Sequence, residues 1–146
     1  MASEIELVRA YVEKCLLELS EDRPLVTDED GDFPYRFGTG AGWVMVVEGS
    51  PLMVRVVAHA AYGLKSSVAL LREINELNLR AVTGQVALTE SGVLVVSQTL
   101  LASAITCDAL RQAMAQVDII CNDVGTLAAT VFGGSTPFES EPADAG

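Results

Sequence analysis

The chain has 146 residues and a mass of 15.4 kDa, enough for one domain with a substantial core. Nine Lys and Arg against twenty Asp and Glu leave a net charge of −11, which disfavours nucleic-acid backbone and anionic membrane surfaces as partners. Half of the residues are apolar and the mean hydropathy is +0.36. That composition excludes disorder for most of the chain, and no apolar run reaches the roughly 18 residues of a membrane span.

The first element is a helix. Ile5, Val8, Val12, Cys15, Leu16 and Leu19 recur at spacings of three and four, and Ser3 with Glu6 forms a capping box. The helix stops before Pro24. A β-rich block follows. Leu25–Thr27 and Phe33–Phe37 read as short strands around a hairpin signal at Asp30-Gly31. Gly38, Gly40 and Gly42 read as a glycine-rich connection, Trp43–Glu48 as a strand and Leu52–Ala60 as a longer, nearly continuous apolar strand.

A second helix is expected from Ser66 to Val82, with a wide stripe of Val68, Leu70, Leu71, Ile74, Leu77, Leu79 and Val82. Gln85–Thr89 and Val93–Leu101 then form a hairpin around Glu90-Ser91-Gly92. Thr106 caps a long third helix with Leu110, Met114, Val117, Cys121, Val124, Ala128 and Val131 in register, ending at Gly133-Gly134. The order α-β-β-β-α-β-β-α implies an α+β fold with an antiparallel sheet. Residues 1–132 form the domain, and residues 133–146 read as an acidic, flexible tail.

Cys15, Cys107 and Cys121 are odd in number and widely spaced, so neither a disulfide framework nor a zinc site is expected. Cys15 and Cys121 lie on apolar helical stripes and read as small core residues. Residues 1–14 carry Glu4, Glu6 and Glu13 and lack an apolar signal core, which points to a cytoplasmic protein.

The motifs that would carry chemistry are incomplete. Asp28, Asp30 and Asp32 start like a calcium loop, but Phe33 stands where the turn glycine belongs and Thr39 where the bidentate Glu belongs. They read as a solvated turn, with divalent-cation binding as the alternative. The glycines from 38 to 42 precede a strand and lack the Lys of a phosphate loop. His59 is the sole histidine and belongs to no recognisable triad. No cofactor, no metal and no enzymatic activity are expected. Asn75 and Asn78 share a helix face among apolar neighbours and read as a polar pair tying the helix to nearby backbone.

These features resemble the YbjN-like family, which is similar in fold to the type III secretion chaperones. The resemblance rests on the element order over residues 3–132, the Asp28–Asp32 turn, the Ile74-Asn75-Glu76-Leu77-Asn78 segment and the hairpin Gln85–Leu101 before a long last helix. It implies a small α+β domain, often dimeric, that binds peptides or partner proteins and does not catalyse. Members also include regulators of sensory transduction. In the secretion chaperones, partner segments wrap apolar surface on the sheet and first helix.

The residues favour the same class. The second-helix stripe and the apolar strands exceed what one small core hides, so a homodimer is expected, with Leu70, Ile74 and Leu77, or Val93 and Val95, near its interface. Phe33, Tyr35 and Trp43 are candidate partner anchors. The expected function is that of a chaperone-like module binding a protein or peptide. A signal-transduction regulator acting through protein contacts is the alternative, and a small-molecule binder or enzyme is a lesser one.

Overall fold

The first helix, α1 (Glu4–Leu19), begins where Ser3 accepts a hydrogen bond from the Glu6 N–H and the Glu6 carboxylate accepts one from the Ser3 N–H at 3.0 Å. The structure, a computed structural model, describes residues 3–21, 24–81 and 83–139. After α1 come β1 (Phe33–Phe37), β2 (Gly40–Val47), β3 (Met53–Ala61), α2 (Val68–Arg80), β4 (Gln85–Leu88), β5 (Leu94–Leu101) and α3 (Cys107–Phe132). Ser67 and Thr106 cap α2 and α3 with their hydroxyls, and Gly133 ends α3 in the left-handed region. The element order and the α+β class agree with expectation. Val82, assigned to the second-helix stripe, lies outside the described residues.

The strands form one antiparallel sheet in the order β1-β2-β3-β5-β4. Alternation along each strand sorts the side chains by face. Phe33, Phe37, Val44, Val46, Val54, Val56, Ala58, Val86, Leu94 and Val96 lie on the buried face. The helices supply Val12, Leu16, Leu70, Ile74, Leu110, Val117 and Cys121 to the same core. The opposite face bears Trp43, Met45, Val57, His59 and Val95, each half-buried.

Two strand expectations are corrected. Leu25–Thr27 is not a strand, and Asp30-Gly31 closes a local turn in which the Asp28 N–H donates to the Asp32 carbonyl. The first hairpin instead turns at Gly38-Thr39, where Phe37 faces Gly40. Gly40 and Gly42 lie within β2 and not in a loop. A Cβ at Gly40 would collide with the Cys121 sulfur on α3, and one at Gly42 would meet the Phe37 ring and the Val57 carbonyl. Close approach of helix and neighbouring strands, not turn geometry, demands these glycines.

The cysteine expectation is also corrected. Cys15 and Cys107 form a disulfide that joins α1 to the start of α3 across 92 residues of sequence. Helix packing brings together two cysteines whose spacing carries no motif. Cys121 is free and buried, as its place on the apolar stripe of α3 requires.

The chain after α3 turns back over the domain. Ser135 exchanges two backbone hydrogen bonds with Tyr62, and the Phe138 N–H donates to the Thr39 carbonyl at 2.9 Å. The Arg36 guanidinium lies over the Phe138 ring at 4.6 Å and donates to the Glu139 carbonyl. The first part of the expected tail, through Glu139, is therefore docked; residues 140–146 lie outside the described residues.

Candidate functional site

A sheet edge presents unpaired N–H and C=O groups that can accept another strand. The two edges here differ. At β4, Asn78 of α2 reaches over the edge: its Nδ2 donates to the Val86 carbonyl at 2.9 Å, and the Val86 N–H donates to its Oδ1 at 2.8 Å. One side-chain amide thus takes the place that a neighbouring strand would fill. Asn75, the other member of the polar pair, is exposed.

The β1 edge is bordered by two cavities, and others border β4 and β5. One, of about 380 Å³, lies between the end of α1, the segment 24–26 and β1. A second, of about 440 Å³, lies between β1, the end of α1 and α3. Leu19, Tyr35 and Arg36 line both. Arg36 is held in place by donating from Nε to the Gly38 carbonyl at 2.8 Å. Asn122 of α3 secures the adjoining turn, its Oδ1 accepting from the Thr39 N–H at 3.0 Å. Sequence reasoning missed Asn122 and Arg36. Asn122 lies outside the apolar stripe of α3, between Cys121 and Asp123, and gave no distinct signal in the sequence.

The anchor candidates separate. Phe33 is 4% exposed and belongs to the core, so it is not an accessible anchor. Tyr35 is 37% exposed beside the β1 cavities. Trp43 lies on the open sheet face, with its ring against the edge of His59 at 4.9 Å. His59 in turn shares a hydrogen bond with the Tyr62 hydroxyl at 3.3 Å, and burial lowers its pKa from the ordinary 6.5.

The interface candidates separate too. Leu70 and Ile74 are 2% and 9% exposed and are spent on this chain's own core. Leu77 is half-buried, and α2 instead exposes Val68, Leu71 and Leu79. Val93 and Val95 are half-buried, and Val95 shares the open face with Trp43.

The three cysteines are not available as thiolates. Cys15 and Cys107 are bonded to each other. Burial, with a smaller push from the Asp118 charge, raises the Cys121 thiol to about 12. Asp28, Asp30 and Asp32 bring carboxylate oxygens within 4.8 Å of one another. Asp28 Oδ1, however, already accepts from the Asp30 and Asp32 N–H groups at 3.0 and 2.9 Å. Partial burial, then the neighbouring Asp28 and Asp30 charges, raise the Asp32 pKa.

An exposed sheet edge can accept an added strand from a peptide. The family described as T3SS (YopN, CesT) and YbjN peptide-binding chaperone 1 matches residues 6–140. The chain belongs to this family. No curated protein matches the sequence. Solved structures share the fold at low identity. The chaperone–effector complex HopA1–SchA has a TM-score of 0.62 at 15% identity, covering 84% of this chain and 98% of the other. The ExsC–ExsE complex has a TM-score of 0.67 at 13% identity, covering 86% and 96%. YbjN from E. coli has a TM-score of 0.62 at 13% identity, covering 81% and 91%. Among the described residues, no helix is long and apolar enough to cross a membrane.

Proposed function

We propose that this domain is a non-enzymatic, chaperone-like module that binds an extended segment of a protein partner by adding it to the β1 edge. The observation that carries the reading is the asymmetry of the two edges. Asn78 takes up the outer N–H and carbonyl of Val86 on β4, whereas on β1 Tyr35 and Arg36 line two grooves together with Leu19. Backbone hydrogen bonds along β1 would supply affinity, and the grooves would select alternate side chains. Relatives solved with a partner, HopA1–SchA and ExsC–ExsE, support a protein partner.

The absence of catalysis belongs to the same reading. It is supported by the bonded Cys15 and Cys107, the unreactive Cys121 thiol and the packing of His59 between Trp43 and Tyr62. A homodimer is also part of the proposal, whereas the Cys15–Cys107 disulfide speaks against the cytoplasmic location expected from residues 1–14. The dimer contact is the open sheet face, where Trp43, Val57 and Val95 leave apolar surface available to a symmetric copy. A regulator acting through protein contacts would use these same surfaces.

The test is selection of a random 12-residue phage-displayed peptide library on the immobilised chain, followed by amide hydrogen exchange with an enriched peptide. The expected result is slowed exchange within residues 33–37. Failure to enrich any peptide, or protection confined to β4, contradicts the reading.

A further inference from the structure

A cavity of about 720 Å³ lies in the crevice between α2 and α3 over β4 and β5, and it shares Arg111 and Ala115 with the groove between β1 and α3. That is within the general size range of ligand sites, roughly 300–1,000 Å³. Its lining contradicts the composition of the chain. There are twenty acidic residues against nine basic ones, yet Arg80 and Arg111 both line the crevice and no acid does. Gln98, Gln112 and Gln116 add side-chain amides, and Leu77 adds apolar wall.

Two further observations point to the ligand. Gln98 projects from the buried face of β5, opposite Val56, and its Oε1 is buried and has no hydrogen-bond partner. A buried acceptor without a donor is costly, and a peptide N–H would satisfy it. At the crevice rim a carboxylate already reads the donor set. Asp108 accepts from Arg111 and, at 2.9 Å, from Gln112 Nε2. It shows that Arg111 and Gln112 can hold one carboxylate together.

The geometry points to this crevice as a second binding site, for an acidic segment of a protein partner. Carboxylates of the segment pair with Arg80 and Arg111, and a backbone amide meets Gln98. The charge of −11 repels such a segment from the rest of the surface and so confines it here. The inference rests on the peptide-binding reading; it concerns the β4 and β5 side of the crevice, which meets the β1 groove at Arg111 and Ala115.

The test uses the full chain and two fluorescein-labelled octapeptides. One is Gly-Leu-Asp-Leu-Glu-Leu-Asp-Gly, and the other replaces each acid by its amide. Anisotropy is expected to show the acidic probe binding at least about tenfold more tightly, the equivalent of one charged hydrogen bond. Arg80→Gln and Arg111→Gln should each remove about tenfold of that affinity. Asp108→Asn frees Arg111 and Gln112 and should tighten binding. Arg80 and Arg111 side chains are exposed, so thermal melting of the variants serves as the check that folding is intact. Equal affinity for both probes, or binding indifferent to Arg80→Gln, which lies outside the β1 grooves, overturns the inference while leaving β1 binding standing. No binding of either probe also overturns it, and exchange protection at residues 33–37 by a library peptide would still separate that failure from failure of the β1 reading.

Discussion

The side chain of Asn78 and the backbone of Val86 exchange two hydrogen bonds, at 2.9 and 2.8 Å, across the outer edge of β4. The pair pins α2 to the sheet and denies that edge to another chain. Asn78→Leu removes both bonds and leaves the Val86 N–H and C=O without partners. The expected loss is about 1–3 kcal/mol in urea unfolding. The opened edge should also increase self-association in sedimentation velocity. Asn78→Asp keeps the acceptor and loses the donor, so its stability should fall between the two.

The Cys15–Cys107 disulfide closes a long loop and ties α1 to α3. Thiol titration of the unfolded chain should find one reactive thiol without reductant, from Cys121, and three after reduction. Cys15→Ser or Cys107→Ser should cost about 2–4 kcal/mol relative to the oxidised chain, by urea unfolding. Reductant should lower the stability of the parent chain and leave these variants unchanged.

His59 gives the fold a defined pH dependence. Burial lowers its folded pKa below the ordinary 6.5, so the neutral imidazole is the form the fold prefers. Its contribution to stability is fully present above pH 6.5 and is lost as pH falls through the lower folded value. Trp43, the sole tryptophan, sits at the edge of the His59 ring and reports the titration. Its emission should change with a midpoint below 6.5, and His59→Gln should abolish that change.

The fold was largely legible because helix periodicity and capping chemistry are local. Ser3, Ser67 and Thr106 cap the helices in the structure. What was illegible depends on distant approach. Gly40 resembles a loop residue until α3 brings Cys121 against it, and Cys15 resembles a core residue until the same helix brings Cys107 alongside. Leu70 and Ile74 show the limit for surfaces: an apolar stripe does not reveal which of its residues the chain's own sheet will bury. The Asn75/Asn78 pattern marked a segment where polarity needs a partner, but only the fold shows that Asn78 meets an edge strand and Asn75 is exposed. The grooves beside β1 had no sequence signal, because α1, β1 and α3 each contribute only part of their walls.

The most direct measurement is photocrosslinking in cells, with benzoylphenylalanine placed at Tyr35 on the open edge or at Gln85 on the closed one. Both positions are exposed. The account predicts that position 35 captures a partner protein through an extended segment, identified by mass spectrometry. Capture from position 85 alone, or from neither, would contradict it.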